Sequence, residues 1–152
     1  MMMLNPFPPS WHRDVKPHDI LMDAAKKDDE EDGVEGEGEA APCTRLADFE
    51  STAWGLMGTP HYVAPEVVSG GEYSTKADVW SAGAVMYALL SDGALPFSGK
   101  SAAEVPAVVM RGSVRFLPRL FGGVSPAAKD LMRRMIYRDE WRRFTAEQVL
   151  DE

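Results

Sequence analysis

The chain has 152 residues, 45% of them hydrophobic, with a single cysteine, Cys43. This suits one globular domain and excludes an intrachain disulfide. The net charge of −8 is concentrated in Asp23–Cys43, where nine carboxylates stand against Lys26 and Lys27; the other residues carry only −1 and offer no nucleic-acid surface. The longest apolar run, Ala82–Leu90, is too short to span a bilayer, and Met1–Leu4 lacks the positive flank and length of a signal peptide. A soluble cytoplasmic monomer with no membrane partner is the expectation.

Residues 1–10, MMMLNPFPPS, carry three prolines and no helical period, and read as an irregular leader to a domain over 11–152. His12–Leu21, HRDVKPHDIL, sets Asp14 and Asp19 beside Arg13 and Lys16. Pro17 fixes its own φ and pushes Lys16 out of the helical region, so a stiff, extended loop is expected. It runs into Ile20-Leu21-Met22, an apolar run of the kind a buried strand uses. Phosphoryl transfer asks for such a set: one carboxylate to orient a hydroxyl, a cation to neutralise phosphate charge, and a second oxygen ligand for Mg²⁺. A solvated charged loop before a strand is the plainer alternative. The acidic stretch 23–43 follows, far longer than a hairpin loop and with almost nothing apolar to bury. Disorder is expected there, as a surface insertion or as a docking tail for a basic partner.

Thr44–Ala47 is the expected second strand, delivering Asp48-Phe49-Glu50. Ser51–Glu66 leads to a helix over Thr75–Leu90, started by a capping-box-like pair of Thr75 and Asp78 and ended at Asp92-Gly93. From Val79 onward apolar side chains point in every direction, which predicts burial all round, with Trp80 and Tyr87 in the core. Ser101 and Glu104 predict a second capping box, with Pro106 in the interior of that helix, where it removes a hydrogen bond. Ser125-Pro126 starts a further helix with Ala128, Leu131, Met132 and Met135 on its apolar face. Thr145 and Gln148 cap a last helix that stops at Glu152.

These motifs resemble those of protein kinases. HRDVKPHD is similar to the catalytic-loop pattern H-R-D-L-x-x-x-N, with Val15 at the leucine and Asp19 at the asparagine. Asp48-Phe49-Glu50 resembles D-F-G, with Glu50 at the glycine, and Ala64-Pro65-Glu66 matches A-P-E. The resemblance implies Asp14 as catalytic base, Lys16 as a γ-phosphate contact, and Asp19 and Asp48 as Mg²⁺ ligands. It implies a substrate-binding loop at Gly58, Thr59 and Pro60, with Thr59 bonded to Asp14 and Lys16, a pairing that marks serine/threonine specificity. His12, Arg13, Phe49, Glu66, Asp78 and Arg143 take structural roles. Among these, Asp78 would bond catalytic-loop backbone and Arg143 would form a buried ion pair with Glu66.

The wider sequence resembles the calcium/calmodulin-dependent and plant calcium-dependent kinase group, most of all plant phosphoenolpyruvate carboxylase kinase. It covers most of a kinase large lobe and none of the small lobe: no Gly-rich loop, no strand lysine and no helix glutamate precede His12. The implied fold is mainly α, a kinase-like large lobe with a small β-hairpin at the catalytic loop. The implied activity is transfer of the ATP γ-phosphate, with Mg²⁺, to a protein serine or threonine, and as an isolated chain it is expected to be inactive. Asp19, Glu50 and Pro106 depart from the pattern, so a non-catalytic, pseudokinase-like interaction protein and a truncated gene model stay open.

Overall fold

The computed structural model describes residues 12, 14–23, 43–47, 60–111 and 113–152. Among them the architecture is mainly helical, with one two-stranded antiparallel ribbon, as expected of a kinase large lobe. Strands β1 (Ile20–Asp23) and β2 (Cys43–Leu46) pair with Ile20 opposite Leu46 and Asp23 opposite Cys43. The ladder thus begins one residue before the expected second strand. Ala47 still donates its N–H to the Asp19 carbonyl at 2.8 Å, just beyond the last pair.

β1 corrects the expectation of a buried strand. Leu21 is 52% and Met22 68% exposed, and Leu46 on β2 is exposed as well. An apolar run shows what a segment can bury; a two-stranded ribbon has two faces, and no described element covers these side chains.

The helices are α1 (Pro65–Val68), α2 (Thr75–Leu90), α3 (Val105–Arg111), α4 (Pro118–Phe121), α5 (Pro126–Met135) and α6 (Ala146–Leu150). α2 is the post around which the others pack. Ala77, Val79, Trp80, Gly83, Ala84, Val85, Tyr87 and Ala88 are all buried, and the helix emerges into solvent at its ends, at Thr75 and at Leu89 and Leu90. At Gly83 the neighbouring helix approaches so closely that a Cβ would stand 2.8 Å from both Met135 Cβ and Ile136 Cγ1. Trp80 stacks on Phe97 with centroids 5.2 Å apart and planes 8° from parallel. Tyr87, Phe116 and Phe121 form a second aromatic group, and the Tyr87 hydroxyl donates to the Arg115 carbonyl at 2.7 Å.

The start of α2 differs from the expected capping box. Ser74 is the N-cap, its hydroxyl accepting from Lys76 N at 3.2 Å, while the Asp78 carboxylate is engaged elsewhere. The helix ends as Asp92-Gly93 requires. Both residues have positive φ, 57° and 83°, and Gly93 N–H bonds back to the Ala88 carbonyl at 2.9 Å. That bond closes a Schellman cap, with Asp92 in the left-handed position that aspartate tolerates better than most side chains.

Pro106 is not in the interior of a helix but in the first turn of one. A 3₁₀ turn over Ala102–Glu104 comes first, and α3 starts afresh at Val105, so Pro106 falls in the first turn where its missing N–H costs no hydrogen bond. The Ser101 box does not form: Ser101 makes no side-chain cap, and Glu104 Oε2 accepts from Lys100 N at 3.0 Å instead. α5 starts as expected, with Ser125 Oγ accepting from Ala128 N at 3.1 Å, and it buries Met132 and Met135. α6 has the complete box of Thr145 and Gln148 and stops at Leu150, two residues before the expected end.

Candidate active site

The segment leading into β1 is shaped by its proline. Lys16 is extended at φ −145° and ψ 164°, as a residue before proline must be. Pro17–Asp19 then makes one 3₁₀ turn, closed by Asp19 N to Lys16 O at 3.0 Å, instead of staying extended throughout. This turn carries Asp19 back toward Lys16 and buries it at 6% exposure.

Lys16 Nζ donates to Asp14 Oδ2 and lies 3.5 Å from Asp19 Oδ2. Asp14, Lys16 and Asp19 therefore meet at one spot, with both carboxylates facing one ammonium. The hydrogen bond to Asp14 foremost, and then the charges of Asp14 and Asp19, hold the Lys16 pKa above its ordinary value. The ammonium is charged throughout the physiological range.

Asp19 Oδ2 is buried and has no hydrogen-bond partner among the described residues. A buried carboxylate oxygen left with only an ammonium at 3.5 Å is a donor of the hard, oxygen type that Mg²⁺ takes. Among the described residues no three His, Cys, Asp or Glu side chains form a ready cluster. Asp48, the other expected ligand, lies outside the described residues, as do Arg13, Phe49, Gly58 and Thr59.

The loop is tied to the helical base at His12. Its N–H donates to Asp78 Oδ2 at 3.0 Å, and its ring Nε2 contacts the Ala47 carbonyl at the end of β2. A carbonyl only accepts, so this contact asks for the proton on Nε2. Asp78 Oδ1 accepts from the Tyr73 hydroxyl at 2.6 Å. One carboxylate at the start of α2 thus holds both the loop and the segment ahead of the helix.

Pro60, the described member of the expected substrate loop, lies in a turn with His61 and Tyr62. Ser81 Oγ on α2 donates to the Tyr62 carbonyl at 2.7 Å, and His61 Nδ1 is 3.0 Å from the Phe97 carbonyl. Tyr73, His61 and Ser81 were not anticipated as anchors. Nothing in a local pattern marks them, because their partners are carbonyls or carboxylates set by the tertiary fold. Beyond the turn, Glu66 on α1 receives both arms of Arg143, Nη1 to Oε1 at 2.6 Å and Nη2 to Oε2 at 2.8 Å.

The protein kinase domain family profile matches residues 10–152. This chain belongs to the protein kinase domain family. The chain is 42% identical over 147 residues to serine/threonine-protein kinase PEPKR2 of Arabidopsis thaliana, covering 91% of this chain and 27% of that protein. It is 37% identical to calcium-dependent protein kinase 25 of Arabidopsis thaliana, over 91% of this chain and 25% of that one. It is 34% identical to human serine/threonine-protein kinase DCLK3, over 91% and 21%. The chain spans about a quarter of the length of the curated relatives it matches. No helix among the described residues is long and apolar enough to cross a membrane.

Proposed function

We propose that this chain supplies the catalytic-loop lobe of a kinase that transfers the ATP γ-phosphate to serine or threonine in a protein. The observation that carries the proposal is the meeting of Asp14, Lys16 and Asp19 on a short, anchored loop within a chain of this family. In it, Asp14 accepts the proton of the acceptor hydroxyl as that oxygen attacks. Lys16 offers an ammonium to the oxygens of the transferring phosphate. Asp19, together with Asp48, would hold Mg²⁺, whose charge neutralises the phosphates of the nucleotide. The carboxylate of Asp19 suits that ion as the usual asparagine does, and its extra negative charge repels incoming phosphates, which favours a slower enzyme. The Gly58–Pro60 loop would hold the residue beside the acceptor.

The acidic stretch between β1 and β2 is proposed to engage a basic partner, by charge alone. Phosphoryl transfer depends mainly on positioning, and no described residue is proposed to hold the adenine or the phosphates other than the one transferred. The 152-residue polypeptide by itself therefore transfers little or no phosphate. Joined to the small lobe of the Arabidopsis relative PEPKR2, it should phosphorylate a serine/threonine peptide and spare the matched tyrosine peptide. Transfer to tyrosine, or equal activity without the small lobe, would overturn this reading.

A further inference from the structure

A second polar site lies apart from the catalytic loop and shares no residue with it. It is a cavity of about 610 Å³ between the C-terminal ends of α3 and α5, lined by Arg111, Arg133, Arg138 and Arg142 with Asp139 as its one carboxylate. Among the described residues none of these four guanidiniums is in an ion pair. Each is held in place by a contact that leaves its charge unneutralised. Arg133 lies 4.7 Å over the Phe116 ring and Arg142 4.9 Å over the Tyr137 ring. Arg138 Nη1 donates to the Met110 carbonyl at 2.9 Å, and Arg111 Nε to the Ala107 carbonyl at 3.1 Å. Asp139 Oδ1 is occupied by Trp141 N at 3.0 Å.

The plain reading is that Arg111 and Arg133 serve the C-terminal ends of their own helices, where positive charge is favoured. Two helix ends offer about one negative charge and Asp139 offers another, which leaves about two of the four positive charges unanswered. A guanidinium fixed on one side keeps its remaining donors in a known direction, which is what recognition of phosphate and carboxylate oxygens requires. The cavity is much larger than one phosphate group, and Trp141, next to Arg142, is 92% exposed while its backbone is held at both N–H and carbonyl. An exposed indole next to these arginines is the composition of a protein-binding surface.

We infer that this cavity is a docking site for a phosphorylated protein segment, whose phosphoserine oxygens the guanidiniums bind. It is independent of the catalytic reading, since it uses none of the same residues. The test is fluorescence anisotropy of three labelled peptides of one sequence, bearing serines, phosphoserines or aspartates, titrated with the whole chain. The phosphoserine peptide should bind and the serine peptide should not; binding of the aspartate peptide as tight as that of the phosphoserine peptide would assign the surface to carboxylates and overturn the proposal. Arg133→Gln combined with Arg142→Gln should weaken binding by about tenfold or more. Arg134→Gln, outside the cavity and paired with Asp130 and Glu152, should leave it unchanged. Arg111→Gln, on the other wall, gives the same readout should the double variant lose its fold. Equal binding of all three peptides, insensitivity to the cavity arginines, or tighter binding of a single-stranded oligonucleotide would overturn the proposal.

Discussion

Arg143 and Glu66 form a two-armed ion pair in which the guanidinium is completely buried. The same guanidinium donates to the Tyr137 carbonyl at 2.9 Å and the Lys76 carbonyl at 2.8 Å, and sits 5.0 Å from the Trp80 ring. One side chain thus joins α1, the start of α2 and the segment after α5. Glu66→Gln leaves a buried charge without its partner, and should lower the unfolding free energy by about 3–5 kcal/mol. Arg143→Lys should not restore stability, because an ammonium cannot span the fork and both carbonyls together. Urea unfolding of the two variants checks this.

Gly83→Ala should be destabilising although alanine is the better helix former. The new methyl would stand 2.8 Å from Met135 Cβ and Ile136 Cγ1, and α2 and α5 would have to part. Overpacking of this kind costs about 1–3 kcal/mol, more than the helix preference returns. A lower thermal midpoint is the expected result.

Asp78→Ala should loosen the catalytic loop more than it harms α2. Ser74 caps that helix, so the cap survives, while His12 N–H and the Tyr73 hydroxyl lose their acceptor. An unsatisfied group at a buried site costs about 1–3 kcal/mol. Hydrogen exchange at the His12 amide should speed up markedly while the amides in the middle of α2 stay protected.

The protein should lose stability above about pH 10. Burial raises the Tyr87 pKa above 10.0, and its partners raise that of Lys16 above 10.5. Above those ordinary values the unfolded chain has released protons that the folded chain still holds, so stability falls as pH rises. Below them both states hold the same protons and the contribution is constant. Tyr87→Phe should be less stable at neutral pH, having lost the bond to the Arg115 carbonyl, and should show a shallower alkaline decline. Unfolding curves at several pH values separate the two effects.

Much of the helical frame was legible because its signals are local. α2 announced itself by apolar side chains on every face, and α5 and α6 by a capping residue at the right distance from the first free N–H. Ser74 and Thr75 are adjacent hydroxyl residues, and Asp78, three positions after Thr75, made Thr75 the expected cap. The fold instead assigns Asp78 to His12, 66 positions away. Pro106 was misplaced because the rule against proline in helices says where a helix cannot continue and not where the next one starts. The exposure of Leu21 and Met22 depends on which element covers a ribbon, which no residue in the ribbon records. In the candidate site, the crowding of Asp14, Lys16 and Asp19 on one proline-stiffened loop was legible from the residues, while the role of each came through family resemblance. The partners Glu66 and Arg143 came through family resemblance, since 77 positions separate them.

The central claim is that Asp14 is the base of a phosphoryl-transfer site. The most direct test is the steady-state rate of γ-phosphate transfer to a serine peptide by the chain joined to a relative's small lobe, with and without Asp14→Asn, alongside ATP binding by both proteins. Both proteins should bind ATP alike, while the substitution should lower the rate by about 10²–10⁴-fold, the usual contribution of a positioned general base. Equal rates in the two proteins, or tight ATP binding with no transfer by the unsubstituted one, would contradict the claim.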